Sequence, residues 1–280
     1  MNSSYIINSR GEKELFSLRK VYQSAKRIGA SKSLAEEIAK TIQKEIYPGI
    51  TTLEIFKKIK QILRWEAPNL AIKFSLKEAM RKLGPAGFLF EKYIGEIFSR
   101  QGFQVKLNQH IQGLCLRYEI DFLAQKENLL YIGECKYRNL SEGKVHSDIA
   151  LSNYARFLDL KKGYFLKQKK FKNLELKTIL VTNTKFTTSA IRYSKCVNTC
   201  LLGWRYPKPK GLEHFIESQN LYPITILPSL KKDLADILTS EKIILAKDIL
   251  KINPIKLAKK VKVSSSRFNL LIKEAKILLE

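Results

Sequence analysis

The order of helices and strands that the sequence predicts is that of an α/β protein, with a mixed central sheet flanked by helices. Between residues 85 and 228, the hydrophobic pattern predicts a helix, three strands, a helix, a strand, a helix and a last strand. Residues 1–65 predict a small, mostly helical unit, and residues 66–84 predict a connecting segment. Residues 229–280 predict a separate helical tail.

Two neighbouring predicted strands carry charged residues among apolar ones. Residues 118–123 and 130–137 have the aromatic and branched composition of strands, and the short polar stretch between them suits a hairpin. Because side chains alternate along a strand, Glu134 and Lys136 share one face, and the hairpin can bring Asp121 beside Glu134. Charged groups within apolar strands are costly to bury, so this arrangement indicates a functional site.

We interpret these residues as a site for Mg²⁺ or Mn²⁺. Mg²⁺ is usually held by one or two carboxylates, with water and phosphate completing its shell. Asp121 and Glu134 would supply the carboxylates, and the main-chain carbonyl of Cys135 a third oxygen. Lys136 would face the attacking water or the scissile phosphate, where negative charge develops. The alternative interpretation is a solvated strand end with mixed charges, since Asp-(x)n-Glu-x-Lys is a loose pattern.

The order of these residues resembles the PD-(D/E)XK nuclease superfamily, and in particular its Mrr-type restriction endonuclease branch. The matching residues are Glu91 in the predicted helix of residues 88–101, Asp121, and Glu134-Cys135-Lys136. Ile120-Asp121 stands where the superfamily's name has Pro-Asp. The resemblance implies a restriction-endonuclease-like fold and a metal-dependent endonuclease that hydrolyses phosphodiester bonds of duplex DNA. It implies catalytic roles for Glu91, Asp121, Glu134 and Lys136, and we expect a homodimer.

Residues 1–65 resemble the ATP-cone, a small nucleotide-binding regulatory domain. The matching stretches are Ser9-Arg10-Gly11 and residues 16–21, 29–31 and 47–55. The resemblance implies that Arg10, Gly11 and Lys20 contact ATP or dATP. The Lys-Arg pair that the family places before the turn glycine is replaced here by Asn8 and Ser9. A helical interaction or oligomerisation domain is the alternative.

The charge of the chain favours a polyanionic partner, because 51 Lys and Arg against 26 Asp and Glu give a formal net charge of +25. In residues 161–172, lysines alternate with Tyr164, Phe165 and Phe171, which suits phosphate contact with base stacking. A solvated lysine-rich loop is the alternative there. The tail resembles helix-hairpin-helix units, which bind nucleic-acid backbones. Its phosphate contacts would be Lys259, Lys260, Lys262 and Arg267.

The remaining sequence features bear on location. No apolar run approaches the roughly 20 residues that a membrane helix needs, so no membrane partner is expected. The four cysteines have no zinc-site spacing and predict a reduced, cytoplasmic protein without disulfides. Two other functions stay open: a non-catalytic, nucleotide-responsive DNA-binding regulator on a decayed nuclease fold, and a structure-specific junction resolvase.

Overall fold

A computed structural model describes residues 5–84, 88–139 and 143–280. Its internal contacts group the chain into two units. Unit 1 comprises the residues up to Glu78 with Ile226–Leu230 and Ile249–Glu280, and unit 2 comprises Ala79–Thr225 with Lys231–Asp248. The predicted domain boundary at residue 85 falls among residues 85–87, which lie outside the described residues. The four predicted domain spans stay predictions.

Nine strands and thirteen α-helices are present in the described residues. The strands are β1 (Tyr5–Ile7), β2 (Lys13–Leu15), β3 (Gln104–Gln112), β4 (Arg117–Lys126), β5 (Leu129–Lys136), β6 (Lys144–Val145), β7 (Glu175–Thr182), β8 (Lys185–Phe186) and β9 (Cys200–Leu202). The helices are α1 (Leu18–Arg27), α2 (Lys32–Lys44), α3 (Thr52–Glu66), α4 (Pro68–Lys73), α5 (Leu76–Arg81), α6 (Phe88–Arg100), α7 (Ser147–Lys162), α8 (Tyr164–Lys167), α9 (Thr188–Cys196), α10 (Leu212–Ser218), α11 (Lys232–Ser240), α12 (Pro254–Val261) and α13 (Ser265–Leu279).

Unit 2 is built on a five-stranded mixed sheet with the order β3-β4-β5-β7-β9. The first three strands are antiparallel to one another, and β5, β7 and β9 are parallel. Helix α6 contacts β3, β4 and β5, and α7 contacts β7 and α9. The succession α6, three strands, α7, β7, α9, β9 is the predicted one, so the mixed α/β architecture with flanking helices is confirmed.

The hairpin between β4 and β5 is tighter than predicted. The predicted link of residues 124–129 shrinks to Glu127 and Asn128, and Glu127 takes a left-handed conformation with φ +52°. The sequence predicts a short strand beginning at residues 103–105, but β3 has nine residues because it pairs with β4 along its length. The sequence also predicts Cys115 as a small core residue of a strand, whereas it is exposed in the turn between β3 and β4.

Unit 1 joins the β1–β2 hairpin to the helices α1 to α4, and α13 contacts α4. Its core is aliphatic and includes Ile38, Ile42 and Leu63. The sequence predicts Ser33 as the cap of a helix over residues 34–47. The cap is instead Ser31, whose hydroxyl accepts a hydrogen bond from the Leu34 N–H at 3.1 Å. The helix therefore begins earlier than predicted, and it ends at Lys44.

The sequence predicts a helix over residues 242–251, and this prediction is wrong. Within that span the chain forms only a short 3-10 helix at Ala246–Lys251, and α11 ends before it at Ser240. Between α11 and the 3-10 helix, the backbone pairs with residues 222–224. The Ile224 N–H donates to the Ile244 carbonyl and the Ala246 N–H donates to the Tyr222 carbonyl, each at 2.8 Å. Pairing with a distant segment thus overrides the local helical pattern. No helix in the described ranges is long and apolar enough to cross a membrane.

Candidate active site

The strands β4 and β5 part where their sequences become charged. Their ladder ends with Phe122 opposite Gly133. The next residues in the same register are Asp121 and Glu134. There the backbone N–H of Cys135 donates to the Asp121 carboxylate, over 2.6 Å, rather than to a strand carbonyl. The predicted neighbourhood of Asp121 and Glu134 is therefore present.

The residue before Glu134 lets this arrangement form. A Cβ on Gly133 would lie 2.2 Å from ring carbons of Phe122, which is far inside van der Waals contact. Phe122 is fully buried and packs on Phe98 of α6, with ring centroids 5.0 Å apart. Gly133 thus allows β5 to pass directly over the ring, which holds Glu134 close to Asp121.

Three carboxylates influence one another at this point. Burial is the largest of the effects that raise the pKa of Asp121 to about 7. The neighbouring charges of Glu134 and Glu91 contribute to this rise, and the Cys135 N–H and Arg156 oppose it. Glu91, in the first turn of α6, has its pKa raised by burial first and then by Glu119 and Glu134. Concentrated negative charge of this kind is typical of sites that take up a cation or a proton.

The Glu134 carboxylate is held by an arginine of helix α7. A guanidinium nitrogen of Arg156 forms an ion pair with Glu134, whose side chain is only 17% exposed. The Arg156 guanidinium also lies 5.8 Å from the centre of the Tyr118 ring. From the sequence, Arg156 is expected on the active-site side of the fold, but without a specific partner. Its neighbours Asn153, Phe157 and Leu160 are buried at helical spacing, which is the signal that would have oriented it inward.

Lys136 follows on the same strand at alternate spacing, which places it on the Glu134 face. Its backbone carbonyl accepts a hydrogen bond from the Thr182 hydroxyl at 2.7 Å. Beyond it, the Asn183 amide pairs with the backbone N–H and carbonyl of Arg138 at 2.8 and 2.9 Å. In the described residues, the Lys136 side chain makes no hydrogen bond or ion pair. The end of β7 and the residue after it therefore fix the end of β5, and the ammonium group of Lys136 stays available to a ligand.

The donor set at this site suits Mg²⁺ or Mn²⁺. Asp121 and Glu134 offer carboxylate oxygens, and Mg²⁺ commonly takes one or two carboxylates with water and phosphate. A cation between them would also relieve the repulsion that raises the Asp121 pKa. Among the described residues, no three His, Cys, Asp or Glu side chains form a group that could hold a metal by themselves. The Cys135 carbonyl ligand stays a prediction, while its N–H serves Asp121.

The residues of unit 1 that are expected to contact a nucleotide do not all lie around one cavity. Arg10 and Gly11 lie in the β1–β2 turn, where Gly11 has φ +81° and the Asn8 side chain accepts the Arg10 N–H at 2.8 Å. Lys20, on α1, lines a mostly apolar cavity of about 200 Å³ together with Ser17 and other residues of β2, α1 and α3. Arg10 and Gly11 do not line that cavity. Its volume is smaller than the roughly 300–1,000 Å³ of typical ligand pockets.

The aromatic residues of the basic stretch do not all face solvent. Phe171 is buried, so its expected role in base stacking is wrong. Phe165 is half-buried and packs on Phe171 with ring centroids 5.1 Å apart. Both belong to the apolar cluster beneath α7. Tyr164 is 79% exposed. In the tail, Lys262 joins α12 to α13 in a left-handed conformation with φ +55°, at the place where a turn glycine is usual.

Comparison with known proteins places the chain in a family. An uncharacterized protein of Archaeoglobus fulgidus is 34% identical over 185 residues, which covers 98% of that relative and 65% of this chain. This chain belongs to the AF1548-like family. The AF1548-like C-terminal domain model matches residues 222–279. A crystal structure described as the protein of unknown function AF1548 shares 32% identity and superimposes with a TM-score of 0.58, covering 68% of this chain and 96% of that one. The descriptions of these AF1548-like relatives state no activity, so function is argued from the site.

Proposed function

We propose that the protein is a metal-dependent DNA endonuclease of the Mrr-like type in the PD-(D/E)XK superfamily. The observation that carries the proposal is the adjacency of Asp121 and Glu134 at the parting of β4 and β5, with Lys136 two residues further along. Glu91 adds a third acidic group whose charge acts on Asp121. This combination matches the residue order of the superfamily.

The side chains support hydrolysis of a phosphodiester. Asp121 and Glu134 would hold Mg²⁺ or Mn²⁺, which when bound supplies Lewis acidity and an activated water. Asp121 is kept in place by the Cys135 N–H, so its carboxylate is oriented before any cation arrives. Lys136 would stabilise the negative charge that develops at the phosphate, in a position where it has no competing partner among the described residues.

The architecture agrees with this proposal. The mixed five-stranded sheet and its succession of helices support a restriction-endonuclease-like fold for unit 2. The β1–β2 hairpin and the helices that follow support an ATP-cone-like regulatory part in unit 1, responsive to ATP or dATP. The net charge of +25 suits duplex DNA as the substrate. The homodimer is part of the same proposal.

One observation favours a second candidate, a non-catalytic DNA-binding regulator. The Arg156 guanidinium is already paired with Glu134, so a cation would have to compete for that carboxylate. If the competition fails, the fold would bind DNA without cutting it. The junction resolvase differs from the endonuclease only in substrate, and a four-way junction included beside linear duplex separates the two.

The test is cleavage of supercoiled plasmid by the purified full chain with Mg²⁺, with Mn²⁺ and with a chelator. Lys136→Ala should lose on the order of 100-fold or more in cleavage rate while keeping DNA and metal binding. Glu134→Ala should lose metal affinity as well. Lys106→Ala is the matched control, because Lys106 is an exposed lysine on β3 of the same sheet.

Thermal melts must show that each variant is folded. A folded Lys136→Ala variant that cuts as fast as the parent would contradict the assigned site. Cleavage that continues unchanged in chelator would contradict the metal. Absence of cutting on plasmid and junction alike, with DNA binding intact, would leave the regulator as the function.

A further inference from the structure

Helix α3 of unit 1 has two different faces. Ile55, Ile59 and Leu63 are buried in the core of the unit. On the opposite side, an open groove of about 690 Å³ runs along the helix at the spacing i, i+3, i+4, i+7. Basic and aromatic residues line this groove, among them Lys57, Arg64 and Trp65. Neither the nuclease proposal nor the nucleotide cavity uses this surface.

The groove exposes an indole that has no structural role in the unit. Trp65 is 82% exposed, although tryptophan is mostly buried in folded proteins. Leu53, at the other end of the groove, is 59% exposed. A flat aromatic surface left in water at the edge of a groove is the kind of group that a planar ligand can cover by stacking.

The charges of the groove are predominantly positive. Lys57 and Arg64 are exposed, and neither makes an ion pair within the described part of the chain. Lys60 lies 3.8 Å from Glu78, which is the one acidic residue in the lining. Three cations against one carboxylate in the lining favour an anionic occupant.

The spacing suits a chain of phosphates rather than a single one. Lys57 and Arg64 are seven residues apart on α3, which corresponds to a rise of roughly 10 Å. That distance is longer than the separation of neighbouring phosphates along a strand, so the two cations would meet different phosphates. Trp65 follows Arg64 directly, so the aromatic surface lies at one end of the row of cations.

We propose that this groove binds an unpaired strand of nucleic acid, with a base stacked on Trp65 and phosphates on Lys57 and Arg64. An unpaired strand is favoured over a duplex, because base faces within a duplex are covered by their neighbours and cannot reach an indole without unstacking. A second copy of the chain fits less well, since a self-complementary contact through this groove would bring its cations together. The inference does not rest on the nuclease activity, which belongs to unit 2.

The experiment uses the fluorescence of Trp65 in the full chain. The chain has two tryptophans, so Trp204→Phe leaves Trp65 as the single indole. A 20-nucleotide oligodeoxythymidine, titrated at low salt in chelator so that cutting cannot interfere, should quench this fluorescence. Trp65→Ala should weaken binding of a labelled oligomer about tenfold, as expected for loss of one stacked base.

Charge provides the matched control. Lys57→Gln with Arg64→Gln should weaken binding of the oligomer clearly more than Lys40→Gln with Lys44→Gln, which remove the same charge from exposed positions of α2 in the same unit. Equal weakening by the two pairs of substitutions would mean that the oligomer responds only to the overall positive charge of the protein. That result would overturn the proposal. So would an absence of Trp65 quenching, equal quenching by a 20-base-pair duplex, or a dimer that Trp65→Ala dissolves. None of these outcomes depends on whether the protein cuts DNA.

Discussion

The carboxylate of Asp121 accepts a hydrogen bond from the backbone N–H of Cys135 at 2.6 Å, where β4 and β5 stop pairing. A side chain thus takes the place of a strand carbonyl. This bond brings one carboxylate to the strand that carries Glu134, and it leaves two acidic groups close together in a largely buried place. The expected consequences of that arrangement can be measured without knowing the substrate.

Asp121→Asn should stabilise the metal-free protein at neutral pH but not at pH 4. The pKa of Asp121 rises from 3.8 to about 7 on folding, so between these values the folded state holds a proton that the unfolded state has lost. The free energy of unfolding therefore falls as pH rises through this window. Asparagine can still accept the Cys135 N–H but avoids this cost, and the gain above pH 7 should approach about 4 kcal/mol.

The measurement is denaturant unfolding of parent and variant at pH 4, 6 and 8. Saturating Mg²⁺ should narrow the difference at pH 8 by stabilising the parent alone, because only the parent keeps the ionised ligand. A difference that stays the same at all three pH values would show that Asp121 ionises normally in the folded protein.

Arg156→Ala should raise the affinity for Mn²⁺ in the absence of DNA. The Arg156 guanidinium is paired with Glu134, so a metal ion must displace it. Removing this competitor frees the carboxylate and raises the negative potential at the site. Calorimetric titration of Mn²⁺ is the direct measurement, with Arg192→Ala on α9 as an arginine control. Weaker Mn²⁺ binding by a folded Arg156→Ala variant would mean that Arg156 positions Glu134 for the metal.

Gly133→Ala should destabilise unit 2 by more than about 3 kcal/mol, because the new methyl group would overlap the Phe122 ring. Phe122→Leu in the same chain should recover part of that loss by making room. The comparison is a double-mutant cycle of unfolding free energies, in which contacting residues give a coupling of 0.5–3 kcal/mol. Strictly additive losses would indicate that the strand shifts and the ring is not the obstacle.

ATP should raise the melting temperature of the protein if unit 1 acts as an ATP-cone. A ligand present at 100 times its Kd stabilises by about 2.7 kcal/mol. Lys20 lines the cavity of unit 1, so Lys20→Ala should reduce the shift, whereas Lys40→Ala on exposed α2 should not. If millimolar ATP or dATP does not change the melting temperature of the parent protein, unit 1 is an interaction module and not an ATP-cone.

Much of unit 2 could be predicted because its signals are local. The alternation in β4 and β5, the apolar run of β7 and the amphipathic pattern of α6 each depend on a few consecutive residues. The same periodicity placed Glu134 and Lys136 on one face, and a hairpin of fixed length carried Asp121 to Glu134. Errors concentrated at helix ends and turns, as with Ser31 in place of Ser33, where competing cap residues lie close together.

Residues from distant parts of the chain escaped prediction. The Arg156–Glu134 ion pair joins residues 22 apart in the chain. The hydrogen bonds between the Asn183 side chain and the Arg138 backbone join residues 45 apart. The helix expected over residues 242–251 failed for the same reason, since residues 222–224 pair with its first half.

The sequence by itself determined the order of the main elements of unit 2 and placed the acidic and basic side chains of Asp121, Glu134 and Lys136 near one another, because periodicity and residue type are properties of short stretches. Only the tertiary structure decided which groups meet. It buried Phe171, packed Phe165 against it, exposed Trp65, and set Arg156 against Glu134. Burial and the pKa of Asp121 depend on every element packed around a side chain, and the linear order of residues does not state which elements those are.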